Sequence, residues 1–335
     1  MASPDGTAAG RGLSRGRLEG RQLPDWASSR LRSAGIVIPF VALFITLTIS
    51  SSSFATKVNL LNILDQQAAV LIIAAAGTLV LVAGGIDLSV GAVYALAGVT
   101  SAELAQHMAP APAIIVGVLV GFVVGAVNGI VATYFRISAL IATLAMSFVI
   151  GGIASLITHG NLVVLFNHPG FGDLTHTQFL GAKTSIWIML VAIVVLGLFL
   201  ARSTIGRYIY AAGGNAEAAR IAGVNVNRVR VVSFMLSGGA AALAGVIDAS
   251  RVLSAQSASG ESLTFTVLAG IVVGGTSILG GEGAVWRTVV GVLFIALIGN
   301  GYDLLGLNPL YEQITLGVIM LLAVGIDAWA RQRRT

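Results

Sequence analysis

The sequence contains no cysteine, which excludes disulfides, thiolate nucleophiles and cysteine-ligated metal sites while leaving the redox compartment open. Charge is scarce too. Asp, Glu, Lys and Arg make up 10% of the 335 residues, where a soluble domain carries about a quarter. Catalytic signatures are missing as well. No Gly-x-x-x-x-Gly-Lys-Ser/Thr loop exists, and the nearest run, Gly181-Ala182-Lys183-Thr184, has alanine where a phosphate loop needs glycine, so the chain does not hold ATP by that device. The histidines His107, His159, His168 and His176 lack a His-Glu-x-x-His spacing. Neither an enzymatic activity nor a metal or cofactor is expected.

What is present is apolar. Hydrophobic residues make up 56% of the chain and mean hydropathy is +0.92. They come in blocks, such as Ile36 to Ile49 and Ile186 to Leu200, and not in the stripes of helices wet on one face. Lipid is the solvent such blocks need. Crossing about 30 Å of hydrocarbon takes about 20 residues of helix, because unpaired backbone groups cannot face acyl chains. That ruler predicts an all-α, polytopic membrane protein with ten spans, near residues 34–53, 60–83, 88–106, 112–134, 137–158, 184–201, 229–248, 263–279, 285–303 and 310–328. The alternating segments of a β-barrel are not seen.

The formal charge of +5 and pI near 10.0 do not point to nucleic acid, because in a membrane protein the placement of basic residues decides their meaning. With the N-terminus inside, Arg11, Arg15, Arg17, Arg21, Arg30, Arg32, Arg136, Arg202, Arg207, Arg220, Arg228, Arg230, Arg287, Arg331, Arg333 and Arg334 fall on the cytoplasmic side. Only Lys57, Lys183 and Arg251 fall outside. That asymmetry predicts both termini in the cytoplasm and an even number of spans. Residues 1–33, rich in Gly, Ser and Arg, are expected to be a disordered basic tail ahead of a true first span rather than a signal peptide.

In the fourth span Gly117, Gly121, Gly125 and Gly129 line one face, which suits close helix packing within the subunit better than a dimer contact. The loop 202–228 contains Asn215 as an N-cap, Glu217 in a first turn, Arg220 near a last turn and Gly223 as a stop, the marks of a helix of about two turns. Pattern alone leaves open whether this helix docks on something or is an ordinary positive-inside loop. Gly84-Gly85, followed by Asp87, Ser89 and Gly91, interrupts helix between apolar runs, so Asp87 is either a path residue or a cap for the helix that follows. The run from Gly274-Gly275 to Gly280-Gly281 is either a hinge or a tight turn, with Glu282 solvated.

Four collinear stretches carry a family resemblance: Gly84 to Gly91, the Gly206-Arg207-Tyr208 to Gly223-Val224-Asn225 loop, Gly274-Gly275-Thr276-Ser277 with Gly280 to Gly283, and Asn300-Gly301 with Leu304-Leu305-Gly306. Over about residues 55–330 the chain resembles the permeases of ribose- and xylose-type ABC importers. The resemblance implies a permease domain over 34–330 with a coupling loop at 202–228 and a short cytoplasmic tail at 331–335. It also implies a homodimer or paralogue heterodimer, a cytoplasmic tandem ATPase and an external sugar-binding protein. Gly213, Gly214, Asn215, Glu217, Arg220, Gly223 and Asn225 would then belong to the ATPase-coupling element. The chain departs from that family where Thr264-Phe265-Thr266 replaces a common Glu-Leu-Asp stretch.

Polar residues at membrane depth default to functional hypotheses. Asn62, Asp65, Gln66, Gln67, Asp87, Ser89, Asn128 and Asn300 are candidate path residues, and Asp248 is a further intramembrane carboxylate; for any one of them an interhelical hydrogen bond is the plainer reading. The expected function is the membrane subunit of an ATP-driven importer of a sugar or sugar-like solute. An ion-coupled secondary transporter is the rival, and would call for mid-span charges and an inverted repeat.

Overall fold

The apolar blocks form helices, and the computed structural model describes residues 25–135 and 137–332. The N-terminal tail up to residue 24, Arg136, Arg333 and Arg334 lie outside the described residues. Helix α1 (Asp25–Ser50) contains Pro39 and starts inside the stretch read as tail. Helices α2 (Lys57–Gln66) and α3 (Ala68–Val82) follow, then α4 (Val90–Ala105), α5 (Pro110–Tyr134) and α6 (Ala139–Ile157). A small cap comes next, made of β1 (Val163–Val164), α7 (Pro169–His176), β2 (Gln178–Phe179) and β3 (Ala182–Lys183). Then come α8 (Thr184–Arg202), α9 (Thr204–Gly214), α10 (Ala216–Ile221), α11 (Val226–Val252), β4 (Ser254–Ala255), α12 (Leu263–Val273), α13 (Val285–Leu304) and α14 (Leu310–Gln332). Strands β1 and β4 pair antiparallel, as do β2 and β3.

Five helices, α5, α6, α8, α11 and α13, are long and apolar enough to cross a membrane, and α2 with α3 makes a sixth candidate bent by 51°. The remaining expected spans are shorter than the ruler demands. The apolar parts of α1 and α14 cover Gly35–Ser50 and Leu310–Ala323, while α4 has 16 residues and α12 has 11, about 24 and 16 Å at 1.5 Å per residue. The expected span 263–279 is thus corrected: its helix stops at Val273, because Gly275 takes φ +80° and turns the chain. The expected span 60–83 is likewise two helices, broken at Gln67, where ψ of 0° departs from helix.

Helix α11 is the centre, packed against α5, α4 and α3. All fifteen residues of α3 are buried, as expected of a helix apolar all round. In lipid there is little hydrophobic force between helices, so close backbone approach and hydrogen bonding hold them. The stripe Gly117, Gly121, Gly125 and Gly129 supplies that approach inside the subunit: a Cβ on Gly125 would overlap the Phe234 carbonyl oxygen, and one on Gly121 would overlap that of Gly238. Outward faces are aliphatic, with Leu119 and Val123 on α5, Val194 and Val195 on α8 and Val318 and Leu321 on α14 exposed.

Candidate functional site

Local chemistry builds the α9–α10 loop. Ser203 Oγ accepts from Gly206 N at 2.8 Å and caps α9, and Asn225 Oδ1 accepts from Arg228 N at 3.0 Å and caps α11. Asn215 Oδ1 accepts from both Glu217 N and Ala218 N, at 3.1 and 3.0 Å. This satisfies two of the amides that a helix start leaves free. At the other end Gly223 takes φ +85° and its amide donates to Arg220 O, the left-handed stop that glycine adopts without strain. Glu217 and Arg220 form an exposed pair at 3.5 Å. Helix α10 is six residues long with only Ala219 buried, while Ile221 is 82% exposed.

The end of α9, which leads into this short helix, is seated through glycine. Gly213 lies with its Cα against the Val82 carbonyl oxygen at the end of α3, and the Gly281 amide donates to the same oxygen at 2.9 Å. Gly84, Gly280 and Gly281 all have positive φ, and Gly280 stacks directly on Gly84 while Gly281 stacks on Gly214. Around this junction Arg230 Nε donates to Ala83 O at 3.3 Å, and Tyr210 Oη donates to Gly283 O at 2.8 Å. Burial raises the Tyr210 hydroxyl above its ordinary pKa. The structure therefore brings together three glycine motifs that are far apart in sequence. Gly274 and Gly275 sit away from them, at the turn where α12 meets Arg287 and Thr288. Gly85 packs on the Phe234 ring instead.

From the junction the chain runs through residues 85–89 without helix. Backbone at this depth must find partners inside the protein, and side chains supply them. Leu88 N donates to Thr143 Oγ1 at 3.0 Å, and Thr143 Oγ1 reaches Ile86 O at 3.3 Å. Asp87 is buried and accepts from Ser89 N, Ser89 Oγ and Ser237 Oγ at 3.0, 2.6 and 2.9 Å. Asn128 Nδ2 then donates to Ser89 Oγ at 2.6 Å, while Asn128 Oδ1 is buried with no partner among the described residues. Asp87, Ser89 and Asn128 thus form one network, in which Asp87 accepts from the amide of Ser89, the residue that precedes α4. Gly91 lies one step further on, where its amide donates to Thr264 Oγ1 at 3.1 Å.

At the opposite end of the bundle, Asn62, Asp65, Gln66 and Gln67 line an open cleft of about 630 Å³ with Lys183 and Arg251. Asp65 is paired with Lys183 Nζ at 2.7 Å and also accepts from Ser185 Oγ. Asn300 stands apart from that cleft, exchanging two hydrogen bonds with Asn59, each 3.0 Å. Asp248 is held by Tyr94 and Arg251. Sequence reasoning missed Thr143, Lys183, Ser185, Arg230 and Ser237 as partners. No local pattern could have found them, since each acts on a residue more than fifty positions away.

Comparison with known proteins now adds to this geometry. A family model described as a branched-chain amino acid transport system permease component matches residues 59–324. The ribose import permease protein RbsC of Escherichia coli (strain K12) is 36% identical over 299 residues, covering 87% of this chain and 92% of that protein. RbsC of Bacillus subtilis (strain 168) is 40% identical over 294 residues, covering 86% and 91%. The L-arabinose ABC transporter permease protein AraH of Azospirillum brasilense is 35% identical over 306 residues, covering 91% and 90%. No solved structure matches the chain. On this coverage the chain belongs to the family of transport-system permease components, as a multi-pass permease subunit of a bacterial ABC importer in the cytoplasmic membrane and not as an enzyme.

Proposed function

We propose that the chain carries a sugar or sugar-like solute inward, with a cytoplasmic tandem ATPase supplying the work, an external binding protein supplying the solute, and a second copy or paralogue completing the path. The observation that carries this reading is α10: a capped and exposed six-residue helix, too short to stand alone in water, yet joined through Asn215 to α9, whose Gly213 is seated on the end of α3. A partner that pushes α10 pushes backbone against backbone, and the displacement reaches Gly84 and the Asp87 network with no flexible side chain between to absorb it. Alternating access follows from energetics, since a pore open on both sides would let the solute gradient run backwards.

Ten spans with both termini in the cytoplasm fit the contacts. Arg230, expected inside, lies at the glycine junction, whereas Lys183 and Arg251, expected outside, line the Asp65 cleft. Supporting a sugar, the relatives named for ribose and arabinose match along most of the chain, and hydroxyl and amide groups dominate the buried polar sites. Broken helices also occur in ion-coupled carriers, but family membership leaves that rival without support.

Reversing both charges, Glu217→Arg with Arg220→Glu, tests the coupling role. Co-purification of the ATPase should fall at least fivefold while membrane insertion is unchanged, because an exposed pair at 3.5 Å contributes under about 0.5 kcal/mol. Unchanged co-purification together with unchanged uptake would remove α10 from the coupling mechanism.

A further inference from the structure

Two of the helices begin inside the bundle. Helix α4 starts at Val90 after the non-helical residues 85–89, and α12 starts at Leu263 after the turn residues 257–262 that follow β4. Their openings meet. The backbones of Gly91 and Gly260 touch, closely enough that a Cβ on either would overlap the carbonyl oxygen of the other, and Gly91 N donates to Thr264 Oγ1 at 3.1 Å. From this meeting α4 runs toward the Asp65 end and α12 toward the glycine junction, so the contact lies between the two ends of the bundle.

A cavity of about 350 Å³ lies beside it, within the size range of small-molecule sites. Ser147 and Phe148 of α6 line it together with Ser257, Glu261, Thr264 and Phe265. The α6 contribution, Leu144 to Gly151, brackets the middle of Ala139–Ile157, which sets the cavity at mid-depth. Glu261 is exposed there, and among the described residues its carboxylate has no ion-pair or hydrogen-bond partner. A charged group at this depth is costly against acyl chains and is found facing water or protein. Outward surfaces elsewhere on the bundle carry no such group: Val194 and Val195 of α8 and Leu119 of α5 are aliphatic and exposed. On this mostly apolar lining Glu261 is the one charged group among the described residues, and it calls for water or a polar partner there.

We propose that the cavity is a solute-contact station in the translocation path, selective for a neutral polyhydroxylated ring. The Glu261 carboxylate accepts hydroxyl donors, the Ser147 and Ser257 hydroxyls donate or accept as the solute turns, and the exposed rings of Phe148 and Phe265 cover the C–H face of a sugar. Among the described residues no Lys or Arg lines the cavity, so an anionic solute finds no counter-charge from them. Its open side is closed by the second subunit; in this respect, and in the choice of sugar, the inference rests on the reading proposed above.

The absence of native cysteine makes the test clean. Glu261→Cys, Phe265→Cys and the lipid-facing control Val195→Cys are each assembled with the ATPase in proteoliposomes and treated with a membrane-impermeant cationic methanethiosulfonate. E261C and F265C should react at least tenfold faster than V195C, and excess D-ribose should slow the reaction at E261C. Reaction of both at the rate of V195C would overturn the proposal. In parallel, Glu261→Gln should raise KM for D-ribose and L-arabinose uptake about fivefold or more, with maximal ATP hydrolysis within twofold of the parent; an unchanged KM for both would also overturn it. Failure of the unmodified transporter to take up any sugar would instead contradict the sugar reading, and the labelling contrast would still decide whether the cavity is part of a wet path.

Discussion

Gly213 and Gly214 are neighbours with opposite surroundings, and that contrast can be measured. A Cβ at Gly213 would stand 2.6 Å from Gly281 N and closer still to the Val82 carbonyl oxygen, whereas one at Gly214 would meet nothing within 4 Å. The atoms facing Gly213 are backbone and cannot rotate aside. Gly213→Ala must therefore push the loop off α3, straining the contact by about 1–3 kcal/mol and stretching the Gly281 N to Val82 O bond of 2.9 Å, worth about 1 kcal/mol. The sum is about 2–4 kcal/mol. At about 2 °C per kcal/mol for a protein of this size, the thermal midpoint of the purified permease in detergent should drop by about 4–8 °C. Gly214→Ala should stay within about 2 °C of the parent, since it adds a better helix former in open space. The four tryptophans give a fluorescence signal for both. Equal midpoints for the two variants would refute the idea that backbone contact seats the loop.

Lys183→Met should destabilise by about 1–3 kcal/mol by leaving the buried Asp65 carboxylate to Ser185 alone, and adding Asp65→Asn should restore most of the loss; thermal midpoints of the single and double variants check this. Asp87→Ala should cost about 3 kcal/mol, because it strands three donors from Ser89 and Ser237. Asp87→Asn keeps an acceptor and should cost about half as much, a ranking that the same melting assay reads.

Much of the helical plan was legible because apolar blocks reveal themselves by length alone, and each of the ten expected segments coincides with helix. Boundaries fared worse where turns interrupt apolar runs. Ile278 and Leu279 made the eighth span look longer than α12 is, although Gly274-Gly275 already marked the stop. The bend at Gln67 had no signal, since neither proline nor glycine stands there. Two caps were readable, since Asn215 and Gly223 do locally what their residue types allow, while the cap that Asn225 makes on α11 was not read. The pairings of Asp65 with Lys183, Asn59 with Asn300 and Asp87 with Ser237 join residues 118, 241 and 150 positions apart, and no periodicity encodes such distances. Glu261 escaped notice for a related reason. Only the meeting of Gly91 with Gly260 places it at depth.

On the function proposed above, the permease has no engine of its own and receives its stroke through α10. Uptake of radiolabelled D-ribose into liposomes bearing this polypeptide, with and without the ATPase, the binding protein and ATP, measures that directly. Accumulation should require all three additions and vanish when any one is withheld. Accumulation into liposomes bearing the permease alone would contradict the account.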